Sequence, residues 1–597
     1  MNEKLRSILH TFYNEPRHFF FWLAMLSICG FAAAASGAAL TGAPLPLAFV
    51  ALGSILCFVV SIPAFILAWI PPVRRLFSWL LRRRFLVLGC LVTLVALFYA
   101  IEDWRGRHAW QSYKRAREAK GERFEWASLA PPPVPNDQNF FETPLWTDLR
   151  FVETNRGMAW REVDRPEHII FSAYGPTGQG APSTGSWIKG QRVDLPAWQA
   201  FYRGSNNVFE AKSGPPTNYF PIAKEPQTPA ADVLLALGKF KENRQLLIAA
   251  SARPHARFWM NYDAGYTMLF PHLARLKSCS QYLCLHAEAA LKAGDQETAL
   301  EDIKLSFRLI ESIRSEPILI SHLVRIAMAQ IALQPVWEGL VDRQWTEPEL
   351  SVIEGELGTM DFLADYYFAM RGERGCNLWG VDYIHKVGMS ALKEMSAPTD
   401  DSQPAELEQL LGMAAFRLIP VGWFDQNKLS LCRMYEKYLL PLVGEQDRRV
   451  ASPATIQQAN SALKRRDVRP YYVFSSMLLP ALAGFADKCA RAQTSIDLAR
   501  VACALERYRL TSGQFPETLE ALVPKFMEKL PHDVINGQPL KYRRTDDGQF
   551  VLYSVGWNET DDGGQVGLTK SGNPDWQKGD WIWRYPAQGD ATLPRSK

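Results

Sequence analysis

Three runs without an Asp, Glu, Lys or Arg lie in the first hundred residues, at 19–40, 46–70 and 85–101. A helix needs about 20 predominantly apolar residues to cross about 30 Å of hydrocarbon. The first two runs exceed that. The third, FLVLGCLVTLVALFYAI, is shorter but ends on Phe98 and Tyr99, with Trp104 beyond, as an interfacial aromatic belt requires. The pattern predicts a membrane anchor of three transmembrane helices over 1–104. AAAASGA at 32–38 would suit a signal-peptide cleavage region, but its apolar run is too long for one and two further runs follow.

After Glu102 the pattern changes to that of ordinary soluble sequence. The charged and aromatic stretch 103–126 predicts a helical stalk, broken by PPPVPNDQNF at 131–140. Together with the Pro-, Gly-, Asn- and Trp-rich sequence that follows, it forms an irregular, mixed segment over 105–229. From 230 to 485 apolar residues recur at three- and four-residue spacing, as in ADVLLALGKFKENRQLLIAAS, and predict a mainly α-helical exported domain. Within it, Gly294-Asp295 separates two amphipathic helices, and Ala289, Ala290 and Ala299 permit their close approach. That unit resembles a tetratricopeptide hairpin, although no clean 34-residue period extends it. A plain helical bundle remains an equal reading. SAPTDDSQPAE at 396–406 predicts an exposed loop. Over 486–597 a helix is expected to end at Gly513, a turn to begin at Pro516, and a small α+β domain to follow.

Charge sets the orientation. Lys4, Arg6 and Arg17 precede the first run, the first loop has no charge, and the second loop carries Arg74, Arg75, Arg82, Arg83 and Arg84. The positive-inside rule then places the N-terminus in the cytoplasm and residues 102–597 outside it, in the periplasm of a bacterial inner membrane. The net charge of +4 over 597 residues gives no support to nucleic-acid binding, which needs a concentrated basic face. Nine cysteines at this length do not make a disulfide framework. Cys279 and Cys284 face apart on a helix, whereas a tertiary disulfide among Cys376, Cys432, Cys489 and Cys503 stays open.

The end of the chain carries a family likeness. Tyr508, Gly513–Pro516, Leu519–Pro524, Leu530–Asp533 and Tyr553–Gly556 follow one another as a tyrosine-containing turn, "GxxP", "LxxLVP", "LPxD" and "YSxG". This series resembles the globular domain of the major type II secretion pseudopilin. The resemblance implies a short three-stranded sheet and a calcium ion in the C-terminal loop. Asp561 and Asp562 stand where that family has its acidic loop, with Asp580 as the later acidic partner. A glycine-rich hairpin without an ion is the alternative. The chain departs from the family in having its long exported part ahead of this domain, so pseudopilus assembly does not follow. With NFFETPLW (139–146), DLPAWQAFY (194–202) and AMRGER (369–374), the chain as a whole also resembles a group of membrane-anchored bacterial envelope proteins. That likeness brings no activity with it.

No HExxH, GxSxG, CxxC, Rossmann or P-loop signature is present; GPTGQGAPSTGSWIKG at 175–190 lacks the Gly-Lys-Ser/Thr ending. His255, His272, His286 and His322 have no ligand-spaced partners and read as core or surface histidines. RPHARFWMNYD (253–263) is the most polar-aromatic stretch of the helical part, and it could line a pocket or form a packed helix junction. The expectation is a non-enzymatic interaction or scaffolding protein with partners in the envelope. Two other readings remain: an envelope hydrolase built around His255 and Asp263, and a type II secretion accessory protein.

Overall fold

The computed structural model describes residues 83–147, 149, 151–154, 157–160, 171–174, 180–204, 208–209, 217–388, 416, 418–465, 469–571 and 573–585, with Met25 and Trp79 as isolated positions. The expected spans at 19–40 and 46–70 and the loop at 396–406 lie outside the described residues. The chain divides into two compact units, Met1–Arg117 with Val381–Leu429, and Glu118–Gly380 with Ser430–Lys597.

In the first unit, helix α1 (Arg84–Glu118) joins the third apolar run to the expected stalk without a break. At about 1.5 Å per residue it is about 52 Å long, of which the apolar run covers about 25 Å. The most apolar 18 residues of α1 are entirely unburied. Where α1 turns polar it meets the segment around Gly422. Gly422 donates its N–H to Asp103 Oδ1 at 2.8 Å, and Trp423 Nε1 donates to Glu102 Oε2 at 3.0 Å. Phe98 stands edge-on to Trp423 with ring centroids 6.5 Å apart.

The second unit is mainly helical. Its helices are α2 (Leu195–Arg203), α3 (Pro229–Leu237), α4 (Lys241–Ser251), α5 (Pro271–Ala293), α6 (Gln296–Ser312), α7 (Leu319–Val341) and α8 (Glu347–Gly358). They continue with α9 (Phe362–Val387), α10 (Val421–Met434), α11 (Pro453–Lys464) and α12 (Phe485–Ser512). Helices α9 and α10 run across the division between units.

The α5–α6 hairpin forms where the sequence predicts it. Gly294 takes the left-handed conformation (φ +80°) that ends α5, and Asp295 Oδ1 accepts the Thr298 N–H at 3.0 Å to start α6. Ala289, Ala290 and Ala299 are fully buried in it. Three helical stretches among the described residues are long and apolar enough to cross a membrane: α1, α7 and Val473–Ser512. The latter two are 56% and 44% buried within their apolar windows, and α7 also buries Arg325 and Glu338. Much of their apolar surface serves a protein core; among the described residues, α1 is the candidate whose apolar window is unburied.

Helix α12 ends at Gly513 (φ +80°), as expected, and packs against α8 and α7. The strands after it are β5 (Lys541–Arg544), β6 (Phe550–Ser554), β7 (Val566–Leu568), β8 (Pro574–Gly579) and β9 (Trp581–Trp583). Four short strands precede them as hairpins: β1 (Phe151–Thr154) with β2 (Gly157–Trp160), and β3 (Val208–Phe209) with β4 (Thr217–Asn218). An antiparallel sheet of order β5-β6-β9 pairs Lys541 with Tyr553 and Leu552 with Trp583, while β7 and β8 form a separate hairpin. The sheet covers α12: Phe550, Leu552 and Trp583 belong to the same apolar core as Leu498 and Val501. Trp187, from the glycine-rich stretch at 175–190, packs on Trp583 with ring centroids 5.1 Å apart. Cys279, Cys284, Cys376, Cys489 and Cys503 carry free thiols.

Candidate functional site

Two irregular segments pack on the α6 and α9 region and build a cleft. The first follows α1. Arg374 of α9 donates Nη1 to Glu122 Oε2 at 2.6 Å, and its guanidinium lies over the Phe124 ring at 4.5 Å. The neighbouring Gly375 admits this segment, since a Cβ there would stand 2.7 Å from Leu129 Cδ1. Trp126 Nε1 then donates to the Tyr262 carbonyl at 2.7 Å.

The second wall is the 253–263 stretch joined to 136–141. Phe140 N–H donates to the His255 carbonyl at 2.8 Å, and His255 N–H donates to the Gln138 carbonyl at 3.1 Å. Arg253 Nη1 donates to the carbonyls of Asn136 and Asn139, each at 2.8 Å. The aromatic cluster of Phe140, Phe141 and Trp146 is buried and anchors the turn.

Between these walls lies a cleft of about 830 Å³. Pro131, Pro132, Val134 and Phe368 supply apolar lining, and Arg123, Arg257, Arg308 and Arg314 supply charge. Its carboxylates, Glu311 and Asp365, are already engaged. Arg325, wholly buried, donates Nη2 to Glu311 at 2.6 Å and Nη1 to Asp365, and Arg314 also bridges to both acids. Burial dominates at Asp365 and raises its carboxyl above the usual range despite these arginines.

Among the described residues, the other three guanidiniums form no ion pair with a carboxylate. Arg308 Nη2 donates to the Arg253 carbonyl at 2.7 Å and the side chain lies over Phe140 at 5.4 Å. Burial pushes its guanidinium pKa down, with Glu311 opposing. Arg123 makes one long bond, 3.4 Å, to the Ser128 carbonyl. Arg257 Nε is buried with no hydrogen-bond partner. Arg257 and Arg308 are half-buried and Arg123 is exposed, so the cleft presents more guanidiniums than carboxylates to whatever enters it.

The pocket reading of 253–263 therefore finds His255 and Arg257 in a cleft wall. Asp263 is not part of that lining, and no hydrogen bond joins it to His255, so the pair proposed for hydrolysis is not assembled. His272 and His322 are core histidines. His272 Nε2 meets Glu316 Oε1 at 2.8 Å, and Ser321 Oγ donates to Glu316 Oε2. The carboxylate stands between histidine and serine. In a Ser–His–acid triad the histidine must stand between the other two to take the serine proton. His286 Nδ1 pairs with Asp302 Oδ2 at 2.5 Å, again as a partly buried structural contact.

The C-terminal loop brings Asp561, Asp562 and Asp580 near one another but turns their oxygens to protein donors. Asp580 Oδ2 accepts from Gly564 N–H at 2.7 Å and Oδ1 from Asp562 N–H at 3.3 Å. Asp561 Oδ1 accepts from the Tyr553 hydroxyl at 2.9 Å and from Gly563 N–H, and Lys541 Nζ lies 3.4 Å from Oδ2. Asp562 Oδ2 accepts from Asn558 Nδ2 at 2.7 Å. Calcium takes six to eight oxygens, whereas these carboxylates accept hydrogen bonds from protein donors. Among the described residues, no group of three or more His, Cys, Asp or Glu side chains is placed to hold a metal ion.

The arginine cleft was hidden from sequence reasoning because its charges come from three separated stretches. The local signals are the proline run PPPVP at 131–135 and the basic, aromatic stretch RPHARFW at 253–259. Compared with protein-family models, with curated proteins and with solved structures, the chain matches none.

Proposed function

We propose that this chain is a membrane-anchored, extracytoplasmic protein of the bacterial envelope that acts by binding rather than by catalysis. The observation that carries this reading is α1. Its most apolar 18 residues are unburied, and the helix continues unbroken from the apolar run into a polar half. The arginine counts on either side of the apolar runs set the direction. The cleft in the folded unit supports a binding role, with its surplus of guanidiniums and its apolar lining. Retention of the full chain in membranes washed with alkaline carbonate, together with antibody access to a C-terminal tag on intact spheroplasts, is the expected result. Release by carbonate would remove the anchor from the account.

A pseudopilin-like reading of 486–597 has its own support. The order of a long helix ending at Gly513, a turn and a three-stranded antiparallel sheet with Tyr553 and Ser554 on the central strand follows the arrangement that the resemblance implies. Recognition of secretion partners would follow from it. Retention of a purified pseudopilin by the full chain tests that role, and its absence from the bound fraction would leave 486–597 as a structural cap.

A further inference from the structure

The cleft has three guanidiniums in search of an anion and a wall of hydrocarbon beside them. We propose that it binds a small organic anion, a carboxylate or phosphate head on an apolar body, through Arg123, Arg257 and Arg308.

Charge bookkeeping points to an anionic head. The two acidic side chains of the lining, Glu311 and Asp365, are neutralised by Arg325 from beneath and by Arg314 at the edge. Among the described residues, Arg123, Arg257 and Arg308 have no carboxylate of their own. Guanidinium groups present planar, paired N–H donors that match the oxygens of carboxylates and phosphates, and such bonds are roughly twice as strong as neutral ones. A simple inorganic ion would satisfy the charge but leave the remainder of the space unused. The cleft holds about 830 Å³, inside the range of roughly 300–1,000 Å³ usual for small-molecule sites. Pro131, Pro132, Val134 and Phe368 offer it an apolar surface.

The site is also held ready. Asn139 fixes the backbone at Arg257, Arg253 ties the same turn to 136–139, and Arg308 braces the Arg253 carbonyl. A ligand therefore meets arginines on a braced backbone, which lowers the ordering cost of binding.

The inference rests on reading the cleft as a binding site rather than a reaction site. The full chain in phosphatidylcholine nanodiscs is titrated with hexanoate, hexyl phosphate and 1-hexanol, with heats from empty nanodiscs subtracted. Saturable binding of one or both anions, without binding of the neutral alcohol, is the expected result, and the stronger anion identifies the head. Arg257→Gln and Arg123→Gln, made separately so that one folding failure does not decide the question, should each weaken binding by about tenfold, the loss of roughly one charge-assisted hydrogen bond. Binding of hexanol equal to that of the anions, no binding of either anion, or anion affinity unchanged in both variants overturns the proposal. Hydrolysis of bound hexyl phosphate, followed by phosphate release, would overturn the binding-only reading while supporting the anion site.

Discussion

Asn139 holds Arg257 by both of its backbone groups. Its Nδ2 donates to the Arg257 carbonyl at 2.8 Å, and its Oδ1 accepts the Arg257 N–H at 2.8 Å. The same Oδ1 accepts the Phe141 N–H at 3.2 Å, and the asparagine is only 4% exposed. One buried amide thus joins the two segments that make one wall of the arginine cleft. Asn139→Ala leaves those groups without partners and is expected to cost about 2–4 kcal/mol, at about 1–3 kcal/mol per unsatisfied buried group. Chemical denaturation of the full chain measures it. Asn139→Asp keeps the acceptor but sets an oxygen against the Arg257 carbonyl, and it should also destabilise.

Gly106 and Gly422 mark a close backbone approach in the first unit. A Cβ on Gly106 would lie 2.1 Å from the Gly422 carbonyl oxygen, and one on Gly422 would lie 2.1 Å from the Glu102 carbonyl oxygen. Backbone stands on both sides, so no side chain can yield. Gly106→Ala should part this contact at a cost of about 1–3 kcal/mol, and thermal melting in nanodiscs reads the loss. Gly89, with open space around it, provides the control: Gly89→Ala should not lower the melting temperature.

Glu288 introduces a pH dependence. It is fully buried, and neither of its carboxylate oxygens meets a hydrogen-bond donor. Burial pushes its carboxyl well above the ordinary carboxylate range, and the charge of Glu338 pushes it further. The folded protein therefore keeps a proton that the unfolded chain releases above about pH 4.3. Stability from this group is full below that pH and falls as pH rises toward the folded pKa, with a slope of up to about 1.4 kcal/mol per pH unit. Glu288→Gln should flatten the decline and raise stability at about pH 8 while changing little at about pH 4. Denaturant midpoints across that range measure it; a variant as pH-sensitive as the parent would place the proton elsewhere.

The acidic C-terminal loop should behave as a hydrogen-bonded turn. Burial raises the Asp580 carboxyl, with the Gly564 and Asp562 N–H groups opposing, while the Tyr553 hydroxyl holds Asp561 below its usual range. Calcium is expected to leave the melting temperature of the full chain unchanged against chelator. A rise would mean that Asp561 leaves Tyr553 and Lys541 to join an ion site. Asp580→Ala should destabilise by about 1–3 kcal/mol, since two backbone N–H groups lose their acceptor.

Local signals were the legible ones. Gly294-Asp295 announced a helix end and a helix start, because a left-handed glycine and a side-chain cap act within a few residues. Gly513 and the third apolar run read equally well. The first half of 493–527 reads as an amphipathic helix in the sequence, but the buried residues of Phe485–Ser512 surround the helix, so no single stripe shows that it packs on α7 and α8. The cleft was half legible. Its aromatic and basic stretch at 253–263 stood out, yet nothing local paired Arg257 with Arg123 and Arg308, and nothing showed that Arg325 already occupied the acids. The calcium expectation came with the family resemblance; that Lys541 and Tyr553 reach Asp561 was not legible, because only the fold brings those strands beside it.

The central claim is that the folded part works outside the cytoplasm on a membrane anchor, and paired C-terminal fusions test it most directly. Fused to alkaline phosphatase, which folds only after export, the chain should give an active enzyme; fused to a cytoplasm-dependent fluorescent protein, it should stay dark. A fluorescent fusion with inactive phosphatase would put the folded part in the cytoplasm and contradict the account.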